Sequence, residues 1–151
     1  MTYIPKHFAP HELVPPDIYG ELNGDQVKIF RLFDDRLLIT LDRLRERYGL
    51  ITVNNWLWDG GRTESGLRNP RTATGGGARW SDHKFGRAID CLFKKTTPDQ
   101  VRRDILDDPY WYTFEFITCL EMTISGQPIS WLHFATRNWD KKSNGILQLH
   151  L

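Results

Sequence analysis

Cysteine is scarce in this chain of 151 residues, which carries only Cys91 and Cys119. Two cysteines exclude a disulfide framework, and their wide separation excludes a thiolate cage of the zinc-finger kind. Both lie among apolar residues, so they read as buried free thiols. A surplus of one charge is also missing. Twenty Lys and Arg face nineteen Asp and Glu, for a net charge of +1. That balance gives no footing to nucleic-acid binding, despite the clustered Arg62, Arg68, Arg71 and Arg79. No apolar run approaches the roughly 18 residues of a membrane-spanning helix. The first ten residues lack a basic segment followed by an apolar one, so no secretory signal is expected. Repeats and low-complexity tracts are absent. The glycine run at 75–77 has no following Lys-Ser or Lys-Thr, which removes a phosphate-binding loop.

What is present is a globular composition, with 40% hydrophobic and 26% charged residues. A chain this long buries roughly two thirds of its unfolded surface. One domain over residues 1–151, acting as a monomer, is the expectation. Asp25 opens a stretch free of Gly and Pro that lasts to Gly49. Within it Val27, Phe30, Leu37, Leu41, Leu44 and Tyr48 recur at mostly helical steps, predicting one helix face. Residues 51–53 read as a short strand. Residues 54–80 form a long aperiodic loop with three tryptophans, Trp56, Trp58 and Trp80, as candidate anchors. Residues 88–93 read as a strand. Thr97-Pro98 with Gln100 starts a helix that Pro109 ends. Residues 114–123 and 129–136 read as two strands joined at Ser125-Gly126-Gln127-Pro128, and residues 146–151 as a terminal strand or tail. The order predicts an α+β fold with a small antiparallel sheet flanked by helices.

Among five histidines, two sit where chemistry is expected. His83 lies in Ser81-Asp82-His83-Lys84-Phe85-Gly86, ahead of a strand that contains Asp90. A carboxylate in an apolar strand is costly to bury unless paired or metal-bound. His133 sits between Leu132 and Phe134 in a second apolar strand. Two histidines and a carboxylate form an acceptable three-ligand zinc set that leaves a fourth position open. The same residues also suit a bland reading, with His133 satisfied in the core and Asp90 paired to Arg87 or Arg68.

The pattern Ser81-x-His83-x-x-Gly86-x-Ala88-x-Asp90, followed by Trp131-x-His133, resembles the zinc peptidases of family M15. These are D-alanyl-D-alanine carboxypeptidases and phage endolysins that cut cell-wall peptides. Ser65-Gly66-Leu67-Arg68 is similar to that family's Ser-Gly-aromatic-Arg segment, with Leu67 in place of the aromatic. Gly76-Gly77-Ala78 and the segment from His7-Phe8 to Glu12-Leu13 also fit. The resemblance implies a hedgehog/DD-peptidase-like fold and a zinc ion held by His83, Asp90 and His133. It implies Arg68 as a catalytic and substrate-binding group, with Ser81 and Trp131 beside the substrate. It also implies a catalytic base. Ser130 occupies one of the family's two places for that base, and Glu121 fits the other. Ala135 stands where an aspartate often follows the last ligand. The expected substrate is a peptidoglycan peptide. Without a signal, a phage-encoded protein is expected, in the host cytoplasm before holin-dependent release or associated with the virion. Ser130 and Ala135 motivate the rival expectation, a virion or wall-binding module that keeps zinc and turns over little.

Overall fold

Residues 1–71 and 78–151 are described by the structure, a computed structural model. Gly76 and Gly77 lie outside the described residues. The chain opens with a 3-10 turn, Pro10–Glu12, and two short helices, α1 (Pro16–Glu21) and α2 (Gln26–Phe30). Next comes the longest helix, α3 (Asp35–Tyr48), and a two-residue strand, β1 (Ile51–Thr52). After the 3-10 turns Trp56–Trp58 and Asp82–Phe85 come β2 (Ala88–Phe93) and α4 (Pro98–Asp107). The chain finishes with β3 (Cys119–Ile124), β4 (Gln127–Ala135), α5 (Lys141–Asn144) and β5 (Leu147–His150).

The single helix expected from residue 25 onwards is two helices, each with its own aspartate cap. Asp25 accepts from Lys28 N, and Asp34 accepts from Arg36 N. The break between them makes room for Gly86, whose φ of +65° is left-handed. A Cβ on Gly86 would stand 2.1 Å from the Leu32 carbonyl oxygen. Asp34 N donates to Gly86 O at 3.0 Å, so the break and the glycine fix each other. Leu37, Leu38, Leu41 and Leu44 are fully buried along α3, whereas Val27, expected on the same apolar face, is exposed.

The five strands lie in the order β1-β2-β4-β3-β5. Every pairing is antiparallel except β3 with β5, which is parallel, so the sheet is mixed and not purely antiparallel. The reason is topological. β5 returns through α5 to the free side of β3, and a strand that skips one antiparallel neighbour ends up parallel to the next. One face of the sheet presents Ile89, Cys91, Leu120, Leu132 and Phe134 to a core shared with α3 and α4. The other face carries Ala88, Cys119 and Ala135, small and fully buried, with Leu147 and Leu149 beside them.

Other boundaries moved for identifiable reasons. Residues 114–118 were expected in β3, but 114–116 are turns and the strand starts at Cys119. Lys141 Nζ donates to the carbonyls of Pro109, Phe114 and Glu115, which removes acceptors a strand would need. The β3–β4 connection has only two residues, Ser125 and Gly126, with φ of 51° and 77°. Positive φ at both positions matches the right-handed twist of the flanking strands. Thr97 caps α4 by accepting from Gln100 N, as its sequence predicts. Both cysteines are buried and free. Of the three tryptophans, Trp56 does anchor its loop, donating Nε1–H to Val14 O at 2.9 Å, but Trp58 and Trp80 are exposed.

Asp34 joins α3 to the end of β4, because it also accepts from the Arg36 side chain and from Thr136 Oγ1. Burial pushes its carboxyl up, but the hydrogen bonds and charge of Arg36 outweigh burial and hold it below the ordinary 3.8. A depressed folded-state value gives stability that is present above the unfolded value and lost as pH falls through the folded one. Asp34→Ala is expected to cost about 1–2 kcal/mol at pH 7 by urea denaturation in chelator. The gap between parent and variant should close as pH falls below 3.8.

Candidate metal centre

Sheet register brings the site together. Asp90 on β2 pairs directly with His133 on β4, and His133 pairs on its other side with Glu121 on β3. All three side chains stand on the face opposite the core, since strand side chains alternate. His83 comes from outside the sheet. Its 3-10 turn begins at Ser81 and ends at left-handed Gly86, and Arg87 N donates back to Asp82 O. That tight return drops His83 over the Asp90–His133 pair.

The three potential ligands are nearly shielded from solvent, with 2%, 8% and 4% exposure for His83, Asp90 and His133. Asp90 Oδ1 lies 2.7 Å from His133 Nδ1 and 3.3 Å from His83 Nε2. The two ring nitrogens are 3.2 Å apart. A tetrahedral zinc with ligands near 2.0–2.1 Å sets ligand atoms about 3.3 Å from one another, so the triangle has the right size for such an ion. His83 Nδ1 lies 2.8 Å from Gly66 O, which can only accept. Nδ1 therefore carries the proton, and in the neutral ring Nε2 turns a lone pair into the triangle. Lone pairs of nitrogen and carboxylate oxygen at these separations repel unless a cation, a metal ion or a proton on His133 Nδ1, lies between them. Burial alone would raise the Asp90 carboxyl, but the His133 and His83 rings beside it hold it well below the usual range. Among the described residues, His83, Asp90 and His133 form a cluster able to hold a metal ion. The donor set, two imidazoles and one carboxylate, suits zinc.

The triad lines a cleft of about 350 Å³. Arg68, Ser81, Glu121 and Trp131, all singled out in the sequence, border the same cleft. Glu121 Oε1 is 3.7 Å from His133 Nε2. Arg68 Nη2 stands 3.7 Å from Asp90 Oδ2, while its Nε donates to Glu64 O. Arg68 is thus loosely paired with Asp90 and still faces the cleft. Trp131 carries a buried indole N–H with no partner among the described residues. Ser130, itself exposed on β4, is not among the described lining residues. Ala135 packs with Ala88 and Cys119 in the small-residue cluster on the metal face.

Sequence reasoning missed Arg137, which lines the cleft and grips Asp82 with Nε at 2.8 Å and Nη2 at 2.5 Å. Extending the two-residue alternation of His133 and Ala135 by one step would have found it. Also missed was Asn54, buried at the end of β1. Its Oδ1 accepts from Ser65 N, its Nδ2 donates to Val14 O, and its own N donates to Glu12 O. Compared with protein-family models, with curated proteins and with solved structures, the chain matches none.

Gly66 ties these observations to a test. A Cβ there would lie 2.1 Å from the Leu13 carbonyl oxygen, a backbone atom with no freedom to yield. Gly66→Ala must displace the carbonyl that orients His83. Such outer partners typically govern metal affinity by 10–100-fold. Zinc affinity, measured by competition with a chromophoric chelator, is expected to fall by that range in G66A. G61A should keep the parental value, because nothing lies within 4 Å of a Cβ at Gly61.

Proposed function

We propose that this chain is a zinc-dependent metallopeptidase that hydrolyses peptide bonds in peptidoglycan stem peptides or cross-links. The fold would then be of the hedgehog/DD-peptidase type. The observation that carries the reading is the buried His83–Asp90–His133 triangle, open to a cleft and built from the spacing Ser81-x-His83-x-x-Gly86-x-Ala88-x-Asp90. The resemblance of that spacing to cell-wall peptidases supplies the substrate class. Residues 1–151 are read as one such domain, working as a monomer. The protein would be phage-encoded, acting from the host cytoplasm after holin-dependent release or from the virion.

When bound, zinc would polarise the scissile carbonyl and make water acidic enough to attack near neutral pH. The remaining work falls to the side chains. His83 is oriented by the Gly66 carbonyl, which accepts from its Nδ1. Glu121, one strand beyond His133, takes the proton of the attacking water on its carboxylate and returns it to the leaving amine nitrogen. Arg68 offers guanidinium N–H groups to the carbonyl or carboxylate oxygen of the substrate. Its weak hold on Asp90, 3.7 Å, leaves those donors available. Ser81 and Trp131 border the path of the peptide.

One observation favours a second reading. Ala135 and Ser130 leave two places beside His133 without a carboxylate, so Glu121 is the only acid on the cleft side of β3 and β4 among the described lining residues. A protein with a weakened base would hold zinc and bind the wall as a virion or cell-wall module without cutting it.

Incubation with purified peptidoglycan, followed by mass spectrometry of released peptides, separates the two. The parent is expected to release stem-peptide fragments. Glu121→Gln should retain one zinc per chain and lose 10²–10⁴-fold in initial rate, the usual contribution of a general base. His83→Ala should lose both zinc and turnover. Equal release by parent and H83A would end the peptidase reading. Zinc uptake and wall binding by the parent with no product would establish the module instead.

A further inference from the structure

The metal centre occupies one end of an ordered row. Asp90, His133, Glu121 and Leu149 are consecutive cross-strand partners on β2, β4, β3 and β5. Neighbouring strands are about 4.8 Å apart, so the row runs across the cleft floor in known order. Arg68 stands beyond Asp90 at the β2 end. Leu149 stands beyond Glu121 at the β5 end. The cleft therefore passes from a guanidinium, over the metal triad and the carboxylate of Glu121, to an aliphatic wall.

A bulge completes that wall. Pairing on β3 jumps between Glu121, opposite His133, and Thr123, opposite Pro128. On the β5 side the partner moves only from Leu149 to His150. Strict alternation from Glu121 would send Ile124 to the core face. With the register broken, Ile124 lines the cleft instead, beside Trp131, Leu149 and Leu151. Bulges commonly re-aim side chains beside functional sites. Apart from Glu121, no side chain in this group is charged. Ile124 is 41% exposed, apolar surface that a ligand would cover.

We propose that Ile124, Trp131 and Leu149 form an apolar subsite on the Glu121 side of the metal centre. It takes a small apolar side chain of the substrate, while acidic or carbonyl groups are directed to the opposite end at Arg68. This assignment rests on the peptidase reading, since it presumes a ligand anchored at the metal. It adds a polarity to that ligand. The residue lying toward β5 is aliphatic and uncharged, and its size is limited by a cleft of about 350 Å³.

Alkyl hydroxamates test the subsite without relying on turnover, because the hydroxamate chelates zinc and the tail samples the cleft. The probes are acetohydroxamate to hexanohydroxamate and succinic acid monohydroxamate, titrated into zinc-loaded protein by calorimetry. In the parent each added methylene is expected to tighten binding about fourfold, the value of one buried CH₂. Butanohydroxamate should bind more tightly than its carboxylated counterpart. Leu149→Asn and Ile124→Asn should each flatten the chain-length gain to less than twofold per methylene. Acetohydroxamate, too short to reach either residue, should keep its affinity in both and so reports that the centre is intact. I124N, at the exposed hairpin end, keeps the test decisive if L149N does not fold. Zinc and acetohydroxamate binding with no chain-length gain would overturn the subsite and leave the peptidase reading standing. A parent that binds neither zinc nor acetohydroxamate would overturn both. Tighter binding of the succinyl probe, unchanged in L149N and I124N, would show that the cleft selects charge and not aliphatic bulk.

Discussion

The Gly66 carbonyl holds His83 Nδ1 at 2.8 Å, and one residue later Leu67 N donates to Leu13 O at 2.8 Å. This short strap, residues 65–68, touches the metal centre at three points. Ser65 O accepts from Asp90 N, Gly66 O from the His83 ring, and Arg68 N donates to His83 O. It has no secondary structure of its own to hold it. It is held by the fully buried Leu13, by buried Leu67 and by Asn54, whose side chain reaches both Val14 and Ser65. A buried amide that satisfies donor and acceptor at once is worth more than its individual bonds, because losing it strands polar groups on both sides. The ligand geometry therefore depends on an N-terminal segment that contributes no ligand.

That dependence explains how the sequence could be read in part. Elements governed by local chemistry were legible: the Thr97-Pro98 start of α4, the stop at Gly49, the alternation through Ala88–Phe93 and the return at Ser125-Gly126. So were His83, Asp90 and His133, because a charge and two imidazoles in or beside apolar strands demand a reason. What escaped was set by distant contacts. The break ahead of α3 is imposed by Gly86, some fifty positions further on, packing against the Leu32 backbone. The turns at 114–116 are held by the Lys141 ammonium. The parallel β3–β5 pairing follows from where the chain returns after α5, which no local pattern encodes. Trp58 and Trp80 illustrate the converse. Their size suggested anchoring, but Trp58 meets the His11 ring edge-on and Trp80 stacks on exposed Phe85, contacts that leave both at the surface, whereas Val14 O draws Trp56 inward.

At the site, the metal-ligand residue types were readable and the surroundings were not. Glu121 could be placed opposite His133 because a hairpin returns its strand. Ile124 could not be placed in the cleft, because its orientation depends on a bulge. Arg137 was overlooked because its role lies in an ion pair with Asp82, whose strength comes from partial burial and a forked geometry. That pair matters to the centre. Asp82 immediately precedes His83, and its own backbone carbonyl receives Arg87 N, so the Arg137 fork braces the turn that carries the ligand.

The same packing has a thermodynamic consequence. His83, Asp90 and His133 point electron pairs at one another inside a shielded volume, an arrangement that burial makes costly without a cation. The small residues Ala88, Cys119 and Ala135, one step along the strands, give no polar group to relieve it. An ion that binds this triangle in the folded chain has no equivalent site in the unfolded one, where the three residues are separated by loop and strand. Its binding free energy therefore adds to folding stability, growing with the logarithm of free ion over dissociation constant. The strap at 65–68 and the Asp82–Arg137 brace hold the ligands together before the ion arrives. Their ordering cost is met in folding, so less of the ion's binding energy is spent on assembling the site. One side of the triangle stays open to the cleft, so an ion held there would be within reach of a ligand from solution.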